Sequence, residues 1–208
     1  MHRVIRPKML YFGTPVVLIS TLNEDGSPNL APMSSAWWLG QSCMLGLSRR
    51  SQTAENLLRE RSCVLNLPSA SMVDVVDRLA LTTGRDPVPR YKAEMGYRHV
   101  ADKFELAGLT PEPSDLVPAP RVAQCPVHLE ARIERVQDVG DPEAHLAAFE
   151  ATILRVHLEE SLMMEGSETY IDPAKWRPLI MSLCEFFGLG APLHRSRLAE
   201  AWGPRRSA

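Results

Sequence analysis

Two stretches of this chain carry side chains suited to holding a phosphorylated, ring-bearing molecule. The first is Ser48-Arg49-Arg50-Ser51-Gln52-Thr53, with Asn56 a turn further on. It stands where a strand ends and a helix begins, and a helix start offers free N–H groups and partial positive charge to a phosphate. Ser51 and Thr53 add hydroxyl donors, Arg49 or Arg50 a bidentate charged clamp, and Asn56 an amide that could reach a polar tail or the phosphate itself. Without further context the same residues also describe a capped helix with solvated arginines. The second stretch is Asn29-Leu30-Ala31-Pro32-Met33-Ser34-Ser35-Ala36, followed by Trp37-Trp38. Asn29 and the backbone offer donors to a ring edge, and the small residues Ala31, Ser34 and Ser35 let a flat ring approach the main chain. Neighbouring tryptophans on a strand face opposite ways, so one can be core and the other can flank a ligand; Trp37 is assigned the ligand side. Lys103 is a further candidate cation, and His99 a weaker one. No GxSxG or GxGxxG motif occurs, so neither a serine nucleophile nor a Rossmann nucleotide site is expected.

The elements that must position these groups read mainly as strands. Thr14–Leu22 is rich in β-branched residues, Asp25-Gly26 is a hairpin signal, and Ser27–Leu39 is expected to return beside it, with Ser42–Leu47 as a third strand of a meander. Ala54, Leu57 and Leu58 recur at helical spacing behind a Ser51 N-cap. Ser62–Leu67 is a strand, and Ser71 three residues before Asp74 marks a helix start. In Pro126–Val136, Val127, Leu129, Ala131 and Ile133 alternate with His128, Glu130, Arg132 and Glu134. This predicts one buried and one wet face, with His128 and His157 on wet faces and no metal bound. Glu150–Leu158 is another strand. Asp172–Phe187 begins as a helix and ends as loop. Between the helix start at Ser71 and the Pro126–Val136 strand, residues 82–120 form a long excursion with short helices around Pro89–Met95 and Ala101–Leu106; so long a detour is more often functional than idle.

Composition bounds the rest. The 208 residues are 45% hydrophobic and 23% charged, with a net charge of −2. This fits one domain, residues 1–208, with a sizeable core, and no basic face for nucleic acid. No apolar run is long enough for a membrane span, and the basic start of the chain is not followed by a leader-like segment. Cys43, Cys63, Cys125 and Cys184 are widely spaced in apolar surroundings, which predicts reduced core residues in the cytoplasm.

Pro15–Ser20, Asp25–Ser35, and Ser48–Leu57 with its Thr53-x-x-Asn56 pattern, followed by Asp102-Lys103-Phe104 and Gly108-Leu109, resemble the flavin-reductase-like FMN-binding proteins in order and spacing. The resemblance reaches from Pro15 to Ile133 and fades in the last quarter, where Gly188-Leu189-Gly190 follows Phe186 and Phe187 without a tyrosine. It implies a split β-barrel with helical decorations, a homodimer with cofactor sites near its two-fold axis, and FMN as cofactor, with FAD as the variant. The implied cofactor contacts are Asn29, Ala31, Ser34, Ser35, Trp37, Ser48, Arg49, Arg50, Ser51, Thr53, Asn56 and Lys103. It also implies an NAD(P)H-dependent flavin reductase in which hydride passes to flavin N5 and no protein residue need be a catalytic acid or base, with a monooxygenase as a partner for reduced flavin. Two alternatives stay open: an FMN-dependent enzyme with its own organic substrate, and a flavin or ring-ligand binder without turnover.

Overall fold

In the computed structural model, which describes residues 1–203, the chain opens with β1 (Phe12–Pro15), β2 (Val17–Leu22), β3 (Pro28–Met33), β4 (Ala36–Leu39) and β5 (Ser42–Ser48). Helix α1 (Gln52–Glu60) and β6 (Ser62–Leu67) follow, then α2 (Val73–Arg78). The excursion carries β7 (Thr82–Thr83), α3 (Arg90–Glu94), β8 (Arg98–His99), α4 (Lys103–Ala107), β9 (Pro111–Glu112) and β10 (Arg121–Val122). Two long strands, β11 (Val127–Val139) and β12 (Leu146–Leu158), precede a hairpin of β13 (Leu179–Ser182) and β14 (Glu185–Gly188), and α5 (Leu198–Trp202) ends the described chain. None of the described helices is long and apolar enough to cross a membrane.

Seven strands form one antiparallel sheet in the order β3-β2-β6-β11-β12-β5-β4. Only Ser34 and Ser35 separate β3 from β4, the two ends of that order, so the outer edges adjoin. The Gly46 N–H donates to the Ser35 carbonyl at 2.7 Å, continuing the β4–β5 ladder back to this short connection. The sheet therefore closes on itself as a split barrel, mainly β with helices as decoration. The predicted meander is corrected here: β2–β3 and β4–β5 are separate hairpins at opposite ends of the sheet. Thr14–Leu22 and Ser27–Leu39 each break in two, at Val16 and at Ser34–Ser35.

Burial explains the strand sequences. In β2, Val17 and Ile19 face the barrel interior with Leu45, Leu65 and Phe149, while Leu18 packs outward against Leu30, Val76, Phe104 and Leu179. Both faces are dry, so the strand reads as a continuous apolar run. The β2–β3 turn is held by the Asp25 carboxylate, which accepts from the Ser27 N–H at 2.9 Å, with Gly26 left-handed at φ 81°; this is the turn expected from Asp25-Gly26. Ser51 caps α1 through the Ala54 N–H at 3.1 Å, as its position predicts. Asp102 caps α4, and left-handed Gly108 ends it.

Other expectations fail for physical reasons. On β11 the first half of the face expected to be wet is covered: His128 is buried and Glu130 wholly so, because residues 115–122 of the excursion fold over them, while Arg132 is exposed and Glu134 half-buried. Ser71 starts no helix; a single 3-10 turn, Ala70–Met72, leads into α2 instead. Asp172–Phe187 holds no helix. The Trp176-Arg177-Pro178 stretch leads into the β13–β14 hairpin, whose turn places Leu183 and Cys184 at φ 49° and 69°. Cys184 at that turn is exposed, unlike the buried Cys43, Cys63 and Cys125. Trp38 packs against the barrel core, whereas Trp37 is 57% exposed, the division expected of neighbouring strand residues.

Candidate functional site

The sequence candidates fall into three neighbouring groups. The innermost is a hydrogen-bonded cluster of Asn29, Thr53 and Lys103, drawn from β3, α1 and α4. Asn29 Nδ2 donates to Thr21 Oγ1 and Thr53 Oγ1, both at 3.2 Å, and Lys103 Nζ donates to Asn29 Oδ1 at 3.1 Å. The two threonine contacts fix the amide so that its oxygen faces the amine. All three side chains are buried. Lys103 carries three N–H donors, yet Asn29 Oδ1 is its one hydrogen-bond partner among the described residues, and no carboxylate pairs with it. Burial, and then the neighbouring charge of Lys92, push its pKa down to about 8. A buried amine without an anion is costly, and an incoming anionic group would relieve that cost.

Asn56 braces this cluster from behind. Its Nδ2 donates to Thr21 Oγ1 and Asn23 Oδ1, each at 3.0 Å, and its Oδ1 accepts from Gln52 at 2.9 Å and Arg59 at 3.2 Å. Its hydrogen-bonding capacity is thus engaged within the protein. Gly84 lies across the cluster: a Cβ there would stand 2.9 Å from Asn29 Oδ1 and 3.0 Å from Gln52 Cγ. Gly84→Ala is expected to displace the Asn29 amide and lower affinity for the ligand of this site by about tenfold, near 1.4 kcal/mol. Calorimetric titration checks this, and an unchanged affinity would detach Asn29 from binding.

The second group lines a groove of about 560 Å³ running from Ser48 to Tyr11. Ser35, Trp37, Gly46, Ser48 and Leu146 form its walls. Tyr11 Oη lies 2.9 Å from Ser35 Oγ, and the buried Thr14 Oγ1 in the same groove has no hydrogen-bond partner. An apolar slot with a few polar atoms on its rim suits a flat heteroaromatic ring. Ser34 lies elsewhere, in a separate hollow with Pro32, Met33 and Phe186. Ala31 is half-buried in β3, paired with Ile19.

The third group is the polar mouth after β5. Arg49 pairs with Asp138, and Arg50 contacts His145 and lies over the Tyr91 ring, 5.7 Å from its centroid. Ser48 Oγ accepts from the Arg50 N–H at 3.3 Å. Lys92 donates to Thr83 Oγ1 at 3.3 Å; burial and the Arg85 charge lower its pKa. Sequence reasoning missed Lys92, Arg85, Tyr91, Tyr11 and His145. The first three lie in the excursion flagged as functional, which was the available signal.

Glu130, His157 and Asp115 also gather, each offering an atom within 4.8 Å of the others. Here the carboxylate is already spoken for. Glu130 accepts from the N–H groups of Asp115, Leu116 and Val117 at 3.0, 2.6 and 3.0 Å and contacts His157 Nε2 at 2.6 Å, while Asp115 pairs with Arg155 at 2.5 Å. The cluster fastens the excursion to β11.

Comparison with known proteins places the fold. The profile of the flavin reductase like domain matches residues 9–172. The uncharacterized protein YdfE of Bacillus subtilis (strain 168) is 37% identical over 196 residues, covering 94% of this chain and 93% of its own. Flavoredoxin of Desulfovibrio vulgaris (Miyazaki F) superposes with a TM-score of 0.78 at 22% identity, covering 96% of this chain and 100% of that one. Nitrilotriacetate monooxygenase component B from Bacillus cereus does so at 0.74 and 19% identity, covering 94% and 99%. The split barrel, the matched residues and the YdfE relative together show that this chain belongs to the flavin reductase like family.

Proposed function

We propose that this chain binds FMN and works as an NAD(P)H-dependent flavin oxidoreductase. The observation that carries the reading is Lys103, a buried amine with unused donors and no counter-anion among the described residues, hydrogen-bonded to Asn29 and through it to Thr53 at the start of α1. Such a pocket is complete only with an anion in it. In this reading Lys103, Ser51, Thr53 and the arginine pair Arg49–Arg50 hold the phosphate, while the groove from Ser48 to Trp37 and Ser35 receives the ring. Bound flavin supplies the hydride-accepting chemistry. The residues around it bind, orient and exclude water, and no acid or base is assigned among them. A monooxygenase taking up reduced flavin is consistent with the name of the Bacillus cereus component B, and the exposed apolar side chains of Trp37, Leu39 and Leu146 offer a surface for a second copy of this chain. With Cys43, Cys63 and Cys125 buried as free thiols, the reading places the protein in the cytoplasm.

Arg49→Ala combined with Arg50→Ala is expected to weaken FMN binding by about 1.5–3 kcal/mol, the range for a hydrogen bond to a charged group. Fluorescence titration of FMN measures it. Equal affinity in the double variant would remove both arginines from the phosphate site. Static light scattering tests the dimer, and a monomeric mass would remove it.

A further inference from the structure

Residues 115–122 of the excursion lie over β11 as a strap, fastened at both ends. At one end Glu130 accepts from the N–H groups of Asp115, Leu116 and Val117. At the other, Val122 is gripped on two sides: its N–H donates to Asn66 Oδ1 and its carbonyl accepts from His128 Nε2, both at 2.8 Å. Asn66 and His128 are register partners on β6 and β11. Val122 also packs with Phe104, Ala107 and Leu109 in one buried cluster. Phe104 and Ala107 belong to α4, whose first residue is Lys103. The strap thus supports the helix that holds Lys103 against Asn29.

The Val122 contact also sets the protonation of His128. A carbonyl partner requires the ring proton on Nε2, which leaves Nδ1 a bare lone pair. That nitrogen is buried and has no hydrogen-bond partner among the described residues. The neutral ring therefore fits, whereas a protonated one would bury a charge and a second N–H without an acceptor. The acids around it are already engaged. Glu130, next along the same face of β11, holds the far end of the strap, Glu112 pairs with Arg121 at 3.2 Å, and Asp115 with Arg155 at 2.5 Å. His157 faces His128 from β12, with ring centroids 6.2 Å apart. Burial first, with Arg121 and His157 adding to it, keeps the His128 pKa below its ordinary 6.5 against the opposing pull of the Val122 carbonyl and Glu112.

Resting on the flavin reading above, we infer that the strap is a proton-operated latch on the phosphate site: proton uptake by His128 frees Val122, loosens α4 and withdraws Lys103 from Asn29, so that FMN is released. With the strap open, His128 meets water and titrates near its ordinary value. Above pH 6.5 both forms are neutral and closure carries no penalty. As pH falls from 6.5 toward the depressed value, the open form binds a proton that the closed form refuses, and opening gains ground. Glu130, whose pKa lies below 4.5 despite its burial, stays ionised through this window. Opening is thus confined to the Val122 end of the strap.

Hydrogen exchange of the flavin-free full chain, corrected for the intrinsic effect of pH, is compared at pH 7.5 and 5.5, alongside fluorescence titration of FMN. His128→Gln keeps an N–H donor for Val122 but cannot titrate, and His157→Gln serves as the control. Exchange at residues 118–123 and in α4 is expected to rise relative to the centre of β11 in the parent and in His157→Gln, but not in His128→Gln. The FMN phosphate itself titrates near pH 6, so affinity is read as the ratio of parent to His128→Gln. That ratio should fall about fivefold between the two pH values, within the tenfold per pH unit that one proton allows. Strap exchange in the parent that does not rise relative to β11 overturns the latch, whether or not His128→Gln folds. A strap that opens while α4 keeps its protection, or while the affinity ratio holds constant, overturns its link to Lys103 and so the proposal. Failure of FMN to bind at pH 7.5 overturns the flavin reading instead, and the exchange of the strap and α4 still decides whether the proton loosens them.

Discussion

Replacing Lys103 by methionine is expected to make the flavin-free protein more stable at neutral pH while lowering its affinity for FMN by about 10–100-fold, or 1.5–3 kcal/mol. Opposite signs for stability and binding are the signature of a charge held in readiness. Lys103 is 3% exposed, and burial first, then the charge of Lys92, bring its pKa to about 8 from an ordinary 10.5. That difference corresponds to on the order of 3 kcal/mol of strain on the folded state when the amine is charged. Below pH 8 both folded and unfolded chains hold the proton, and the penalty is present in full. Between about 8 and 10.5 the folded chain releases the proton while the unfolded chain keeps it, so folding gains stability as pH rises. The advantage of Lys103→Met should therefore shrink across this window, as read by urea unfolding at pH 7 and pH 10. FMN binding runs the other way. It needs the charged amine, so affinity should fall as pH rises above about 8, and binding near that pH should take up a proton. Calorimetry in buffers of different ionisation enthalpy measures the uptake. A methionine variant that is less stable at pH 7 and binds FMN normally would make Lys103 a structural residue.

The second large effect is expected at Glu130, on β11 beneath the excursion. Glu130→Ala should cost about 3–5 kcal/mol of stability, the range for breaking a buried charged contact. The loss leaves the N–H groups of Asp115, Leu116 and Val117, the last of them buried, without their acceptor. Burial alone pushes the Glu130 carboxyl up, but the His157 contact and the three N–H donors outweigh it and hold the pKa below the ordinary 4.5. The stability it contributes is thus present above that ordinary value and is lost as pH falls through the depressed one. Urea midpoints for the parent and Glu130→Ala should converge in strong acid. Hydrogen exchange should show residues 114–120 losing protection first. Equal midpoints at pH 7 would mean that the excursion is fastened elsewhere.

Local signals explain which parts of this architecture were legible in advance. The α1 cap rests on Ser51 and the helical spacing behind it, and the β2–β3 turn on Asp25-Gly26; both are decided within a few residues. Closure of the barrel at Ser34–Ser35 is not local. It depends on five other strands lying between β3 and β4, so the two hairpins looked like one meander. Period-two alternation on β11 located the core face correctly. It could not distinguish a solvated outer face from one covered by residues 115–122, and so His128 and Glu130 were misplaced. The β13–β14 hairpin was hidden because Leu183-Cys184 occupies left-handed positions usually taken by Asn or Gly. At the site, residue types and family resemblance pointed to Asn29, Thr53 and Lys103. Their joining is a matter of packing, since the Asn29–Lys103 contact spans 74 residues. Ser34 and Ser35, adjacent in sequence, open into different hollows, as neighbouring side chains of an extended backbone face opposite ways.

Whether this barrel holds a flavin and passes electrons through it is tested most directly by the visible spectrum of the protein with FMN under anaerobic conditions. FMN is expected to bind, its absorption bands to shift on binding and to bleach on addition of NADPH or NADH, with binding weakened in Lys103→Met. FMN that stays oxidised with both nucleotides would contradict the reductase activity. An FMN spectrum unchanged by the protein would contradict the site itself.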